Sequence, residues 1–325
     1  MSDAVLEVED LRLHYLTRFG VKIQAVDGVT FTLKEGEILG IAGESGCGKT
    51  TLVSGLLGLY IPPLHHTSGE VKIGGSSIIG LGIERNRKEV LGRKVAMIPQ
   101  GALNSLNPTR KVKDMAADMI LSHDEGADKK DIHDRLRERF TRVGLDADDV
   151  LDSYPIQLPA GIKQRVVIGI STLLNPKVVI ADEPTSALDV STQKAVIKLL
   201  FELMDQGIIA SMLFITHELP LLRHVSSRIA VMYAGEFVEV GTTEQIIYDA
   251  RQPYTRALMG SMLSAEPGQK SKKPIAIEGA PPNLAKVIQG CRFAERCPVV
   301  QPDCSSTRQV LRSVAGRDAR CKYAE

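Results

Sequence analysis

Two short segments carry groups that together suit the hydrolysis of a magnesium-bound nucleotide. The first, Gly43-Glu44-Ser45-Gly46-Cys47-Gly48-Lys49-Thr50, follows the pattern G-x-x-x-x-G-K-[ST]. Its glycines let successive backbone N–H groups turn toward phosphate oxygens, Lys49 can bridge the β- and γ-phosphates, and the Thr50 hydroxyl can reach Mg²⁺. The second, Asp182-Glu183, closes the apolar run Val178-Val179-Ile180-Ala181. Asp182, at a strand end, is placed to complete a Mg²⁺ shell. Glu183, one residue on, can orient and deprotonate the attacking water. A glycine turn beside a surface lysine, or a plain strand-end turn at Asp-Glu-Pro, explains each segment singly but leaves their pairing unexplained.

A phosphate loop works only if a strand feeds it and a helix leaves it. Glu37-Ile38-Leu39-Gly40-Ile41-Ala42 reads as that strand, and residues 51–59 as a helix whose N-terminal dipole end faces the phosphates. The alternating runs Leu11-Arg12-Leu13-His14-Tyr15, Val29-Thr30-Phe31-Thr32-Leu33 and Gly69-Glu70-Val71-Lys72-Ile73 predict a small antiparallel sheet beside the loop. A buried strand, Val95-Ala96-Met97-Ile98, ends at Pro99-Gln100, and the stretch after it reads as helical. There Ile132, Leu136, Phe140 and Val143 mark one face, and Gly144 is the stop. Strands resume at 178–181, 211–216 and 229–233. This order predicts an α/β fold whose parallel core is interrupted by a helical subdomain at about residues 101–168, all within a domain of residues 1–248. After Asp249 strand signals fade. Pro253, Pro267, Pro274, Pro281 and Pro282 punctuate a stretch containing Lys270-Ser271-Lys272-Lys273, which predicts a linker and a small loop-rich module in residues 249–325.

Composition narrows the function classes. A formal net charge of +1 offers no field for nucleic acid, so no nucleic-acid partner is expected. Apolar stretches such as Val166–Leu174 are interrupted well short of the ~20 residues that a bilayer span needs. The acidic start, Met1 to Glu7, does not resemble a secretory signal, so a cytoplasmic chain is expected. Yet four of the five cysteines fall in one run, Cys291-x5-Cys297-x6-Cys304-x16-Cys321. Four thiolates in a module with little core could bind a metal or cluster that stabilises it. The spacing lacks the C-x2-C knuckle common at zinc sites, and unliganded or disulfide-paired thiols are the remaining option. Cys47, inside the loop, reads as a small packing residue.

In order and spacing these residues resemble the nucleotide-binding subunits of ABC transporters over nearly the whole chain. The resemblance implies a P-loop NTPase core with an antiparallel β subdomain and an inserted helical subdomain. ATP would be held by Gly43, Ser45, Gly46, Cys47, Gly48, Lys49, Thr50 and Thr51, with Mg²⁺ on Thr50, Gln100 and Asp182. Gln100 matches the Q-loop glutamine, Ser186-Ala187-Leu188-Asp189 the D-loop, and His217 the histidine that contacts the γ-phosphate, so Glu183 and His217 become the catalytic pair. Tyr15 stands where the family places a ring under adenine, with Phe19 as its competitor. Asn104-Ser105-Leu106-Asn107-Pro108, Gln252-Pro253-Tyr254-Thr255-Arg256-Ala257-Leu258, Gly290-Cys291-Arg292-Phe293 and Arg296-Cys297-Pro298 resemble phrases of the oligopeptide/dipeptide importer branch. That branch implies a cargo of peptides, nickel complexes or oligosaccharides, and a [4Fe–4S] cluster on Cys291, Cys297, Cys304 and Cys321. It also implies two transmembrane permease subunits, an extracytoplasmic solute-binding protein, and a peripheral seat on the cytoplasmic membrane face. A soluble or regulatory ABC ATPase that does not drive transport is the alternative.

The signature loop departs from the family. Where Leu-Ser-Gly-Gly-Gln or Leu-Ser-Gly-Gly-Met is expected, the chain has Leu158-Pro159-Ala160-Gly161-Ile162, followed by the ordinary Lys163-Gln164-Arg165. In the family this loop grips the γ-phosphate held by the opposite subunit. Pro159 offers neither hydroxyl nor N–H, and Ala160 adds a methyl group where the backbone must come close. The expectation is an asymmetric heterodimer with a second, homologous ATP-binding subunit that supplies an intact signature.

Overall fold

The computed structural model describes residues 4–186, 188–261 and 277–324. The expected Lys270-Ser271-Lys272-Lys273 linker and Ala187 of the D-loop lie outside the described residues. The chain divides into two compact units, one of Met1–Leu6, Leu33–Glu37 and Lys72–Leu213, the other of Glu7–Thr32, Ile38–Val71 and Phe214–Glu325.

The first unit is built on a parallel pair of strands, Val95–Ile98 and Val178–Asp182, in a register that sets Ile98 against Ala181. Every residue of Val178–Asp182 is buried, as expected of a strand covered on both faces, which is why it reads as a continuous apolar run. The helices Ile83–Glu89, Val112–Leu121, Lys129–Arg142, Ala147–Asp152, Ala160–Ser171 and Val190–Asp205 belong to the same unit. Ile132, Leu136, Phe140 and Val143 are all buried. Phe140 and Val143 lie against Gly169, which brings Lys129–Arg142 onto the helix that follows the signature loop. Gly144 takes φ 72°, and the Leu145 N–H returns to the Phe140 carbonyl at 3.0 Å, ending that helix as a left-handed cap.

In the second unit the strand Ile38–Ala42 runs parallel to Arg228–Tyr233, which pairs antiparallel with Glu236–Thr242. Most of the strands Ala4–Leu16, Lys22–Lys34 and Leu64–Ile73 also belongs here, with Ala4–Leu16 in the middle. Its Leu11 and Leu13 point at the helix Lys49–Leu56, where Gly55 leaves room for them.

The C-terminal region holds structure that the sequence reading omitted. A hairpin, Arg312–Val314 with Arg317–Ala319, adds to the edge of Glu236–Thr242 through the pair Glu239↔Ala319. Three-residue strands bearing Arg312, Arg317 and Asp318 carry no period-two apolar signal, and only pairing with a neighbouring strand makes them strands. The local cue was Ala315-Gly316, both at positive φ (48° and 75°), the conformation of a tight hairpin turn.

Candidate functional site

The phosphate loop is shaped by close backbone approach. A Cβ on Gly43 would stand 2.2 Å from the Met232 carbonyl oxygen, and one on Gly48, at φ 112°, would stand 2.4 Å from that of Ala25. Only glycine fits either place. Gly48 caps the helix Lys49–Leu56 without any side-chain oxygen, so the positive helix end is left to an anion. The Lys49 ammonium donates to the carbonyls of Gly43 (2.8 Å) and Glu44 (3.0 Å), folded back along the loop it serves. Ser45, Gly46 and Thr50 are exposed; Thr51 and Cys47 are buried. Burial pushes the Cys47 thiol up, which suits a packing residue.

Tyr15 and Phe19 separate clearly. The Tyr15 hydroxyl lies 3.1 Å from Thr51 Oγ1, joining the strand Ala4–Leu16 to the first turn of the phosphate-loop helix. Phe19 is exposed on the turn beyond that strand, under the Arg18 guanidinium. His217 is exposed just past the strand Ser211–Ile215. The preceding Thr216 donates its N–H to the carbonyl of Ile41, in the strand that feeds the loop. Tyr15, the phosphate loop and His217 all belong to the second unit.

The first unit gathers the carboxylates. Asp182 ends its strand 3% exposed. Because Ile98 faces Ala181 in a parallel register, the residues two positions beyond each, Gln100 and Glu183, leave the sheet together, and Gln100 Nε2 donates to Glu183 Oε2 at 3.0 Å. Glu183 sits at φ 48°, a left-handed conformation that costs a residue with a side chain of order 1–3 kcal/mol and that recurs at functional turns. The turn is braced by a residue that had no assigned role. Gln164, 2% exposed on the helix Ala160–Ser171, donates to the Pro184 carbonyl at 2.7 Å. Its signal was available in the Lys163-Gln164-Arg165 phrase. Pro159 and Ala160 are exposed, with Pro159 as a cap that offers no side-chain hydrogen bond. Asp189, beyond the Glu183 turn, accepts from the N–H groups of Ser191 and Thr192 and caps the helix Val190–Asp205; the Ser191 and Thr192 hydroxyls, and then these N–H bonds, hold its carboxyl below the usual range. Within this unit the amide of Gln100 and the carboxylate of Asp182 are hard oxygen donors of the kind that Mg²⁺ prefers.

Two family models match the chain: that of ABC transporters over residues 26–186, and that of the oligopeptide/dipeptide transporter C-terminal region over residues 238–304. The chain is 36% identical to the oligopeptide transport ATP-binding protein OppF of Salmonella typhimurium, across 94% of this chain and 92% of that one. The chain belongs to the ABC transporter family. It is also 37% identical to the dipeptide transport ATP-binding protein DppD of Caldanaerobacter subterraneus, again across 94% and 92% of the two chains. Among solved structures, a dimeric ATP-binding cassette in a post-hydrolysis state with ADP and Pi aligns with a TM-score of 0.63 at 25% identity, covering 73% of this chain and 98% of that one. The cassette fold of this ABC ATPase is thereby established, and ATP and Mg²⁺ are the nucleotide and metal it calls for. Among the described residues no helix is long and apolar enough to cross a membrane.

The four C-terminal cysteines of this ABC ATPase do not form a ready ligand set. They lie near enough to influence one another, but among the described residues no group of three or more His, Cys, Asp or Glu could hold a metal ion. Burial first, and then its fellow thiols, pushes Cys291 up to about 11. The region also has an anchor of another kind. Arg292 and Arg308 both pair with the buried carboxylates of Asp27 and Glu236, and Arg317 pairs with Asp249.

Proposed function

We propose that this ABC ATPase hydrolyses MgATP to energise the import of peptides or related small solutes, with Lys49 and Thr50 serving the phosphates and Mg²⁺, Asp182 the metal, and Glu183 the water. The observation that carries the reading is the Glu183 carboxylate, turned out of its strand at φ 48° and held by Gln100. Glu183 acts as general base and His217 as the γ-phosphate contact. Peptide cargo is supported by the names of the relatives and by the match to the oligopeptide/dipeptide C-terminal region. On this reading the subunit works beneath two transmembrane permeases fed by an extracytoplasmic solute-binding protein, on the cytoplasmic face of the membrane. Residues 1–248 are the nucleotide-binding domain, with a helical subdomain at about 101–168, and residues 249–325 are a branch-specific module. A [4Fe–4S] cluster on its four cysteines rests on the family resemblance, and chemical analysis decides it.

The exposed Pro159 and Ala160 support a heterodimer, because the defect lies in the part of the chain that serves a partner's ATP. Glu183→Gln is expected to keep ATP binding and lose about 10²–10⁴ in turnover in the assembled transporter. The equivalent change in the partner subunit is expected to cost far less. Near-normal hydrolysis by Glu183→Gln defeats the catalytic assignment, and equal losses from the two changes defeat the asymmetry.

A further inference from the structure

Glu44, the second residue of the phosphate loop, has all its polar groups engaged. Its N–H donates to the Tyr254 hydroxyl at 3.0 Å, and its carbonyl accepts from Lys49 Nζ at 3.0 Å and from the Cys47 N–H at 3.2 Å. Its carboxylate receives a two-pronged pair from Arg296, at 2.7 Å and 2.9 Å. Arg296 lies in the C-terminal region beside Cys297, with its side chain only 4% exposed against 25% for Glu44. Its remaining donors go to the Tyr233 hydroxyl (3.2 Å) and to the carbonyls of Glu278 (3.0 Å) and Ile277 (3.3 Å), so all five guanidinium N–H groups are used. Tyr233, Tyr254 and Phe293 pack on one another alongside it. The far end of the loop is held from the same region. Arg292 donates to the Ala234 carbonyl, and the next residue's N–H, that of Gly235, donates to the Cys47 carbonyl at 2.7 Å.

An exposed ion pair contributes little, because solvent screens it and its side chains must be ordered. A buried, fully saturated fork on a loop residue differs on both counts. We infer that Arg296 is a positioning residue for the ATP site, holding Glu44 neutralised and the phosphate loop in its receiving shape, so that the C-terminal region forms part of the nucleotide-binding apparatus. The inference rests on the ATPase reading. Two physical effects follow. An unpaired Glu44 carboxylate at the mouth of the loop would repel a polyanionic triphosphate, whereas the paired one does not. A loop ordered beforehand also spares ATP the cost of ordering it. When Lys49 swings from the Gly43 and Glu44 carbonyls to the phosphates, Glu44 stays in place because Arg296 and Tyr254 hold it.

The test uses the full chain with MgATP as the probe. Arg296→Gln is expected to raise the Kd for MgATP roughly tenfold or more, as truncating one partner of a buried charge pair does. The kcat at saturating ATP in the assembled transporter should stay within about threefold, because Glu183 is untouched. Amide exchange at residues 43–49 of the nucleotide-free chain should accelerate. Adding Glu44→Gln to Arg296→Gln should recover part of the affinity by removing the uncompensated charge, a non-additivity that simple loss of packing does not produce. Should Arg296→Gln fail to fold, Arg296→Lys keeps the charge, loses the fork, and is expected to show a smaller shift in the same direction. An unchanged Kd in the folded variant overturns the inference, as does a loss of kcat and thermal stability without a change in Kd. Lys49→Ala serves as the separate control: if it binds MgATP normally, the nucleotide assignment itself fails, whatever Arg296 does.

Discussion

Replacing Pro159-Ala160 by Ser-Gly should tighten the ATP-driven closure of the nucleotide-binding subunits without making this chain much more stable. Pro159 caps the helix Ala160–Ser171 at φ −59° and ψ 156°, an extended conformation that serine adopts freely at a helix cap. A serine hydroxyl there can accept from a first-turn N–H, worth about 0.5–2 kcal/mol against a non-capping residue. Losing the stiffness of proline in the unfolded chain gives back about 0.4–1 kcal/mol. The Ala160→Gly change costs up to about 1 kcal/mol, less at a first turn than mid-helix. Stability should therefore move by no more than about 1.5 kcal/mol in either direction, a few degrees in Tm for a chain of this size. At the nucleotide the accounting is one-sided. The site is exposed and at a positive helix end, so a restored hydroxyl or N–H reaching a partner's γ-phosphate adds a charge-assisted bond of about 1.5–3 kcal/mol, or roughly 10–150-fold in affinity. The assay is the ATP concentration that half-saturates closure of the assembled transporter, with Glu183→Gln and the partner's equivalent change present to stop turnover. An unchanged ATP requirement with an unchanged Tm would refute the reasoning, because it would mean that this loop does not meet the partner's phosphate.

Two further outcomes follow from the site. Tyr15→Ala should weaken ATP binding about two- to tenfold through loss of an aromatic contact, whereas Phe19→Ala should leave the Kd unchanged; the reverse pattern in a fluorescent-nucleotide titration moves the adenine site to Phe19. Anaerobically purified chain should contain about four irons and four acid-labile sulfides if the cysteines ligate a cluster, and Cys297→Ser should abolish them while MgATP binding persists. Zinc, or no metal at all, in carefully prepared protein ends that proposal and leaves the arginine–carboxylate anchors as the stabilisers of the region.

The amino-acid sequence alone determined which residue types stand at which spacing, and with them the candidate chemistry. A phosphate loop needs particular residue types at fixed spacing, so Gly43 to Thr50 and Asp182-Glu183 stood out as candidates without coordinates, Gln100 and His217 became candidates only through the family resemblance, and the buried strand was legible from the unbroken apolar run Val178 to Ala181. The departure from the family pattern at Pro159-Ala160 was equally plain, since a missing hydroxyl and N–H are properties of the residues themselves. Tertiary structure decided what depends on partners distant in the chain. Arg296 meets Glu44 across 252 residues, and neither carries a local sign of the other. Gln164 braces the Glu183 turn from a separate helix, and the 312–319 hairpin exists only because Glu236–Thr242 offers it an edge. The cysteine spacing suggested a ligand set, but the folded region is anchored by Arg292 and Arg308 on Asp27 and Glu236. Buried charges take their meaning from the groups that neutralise them, and those groups are brought together only by folding.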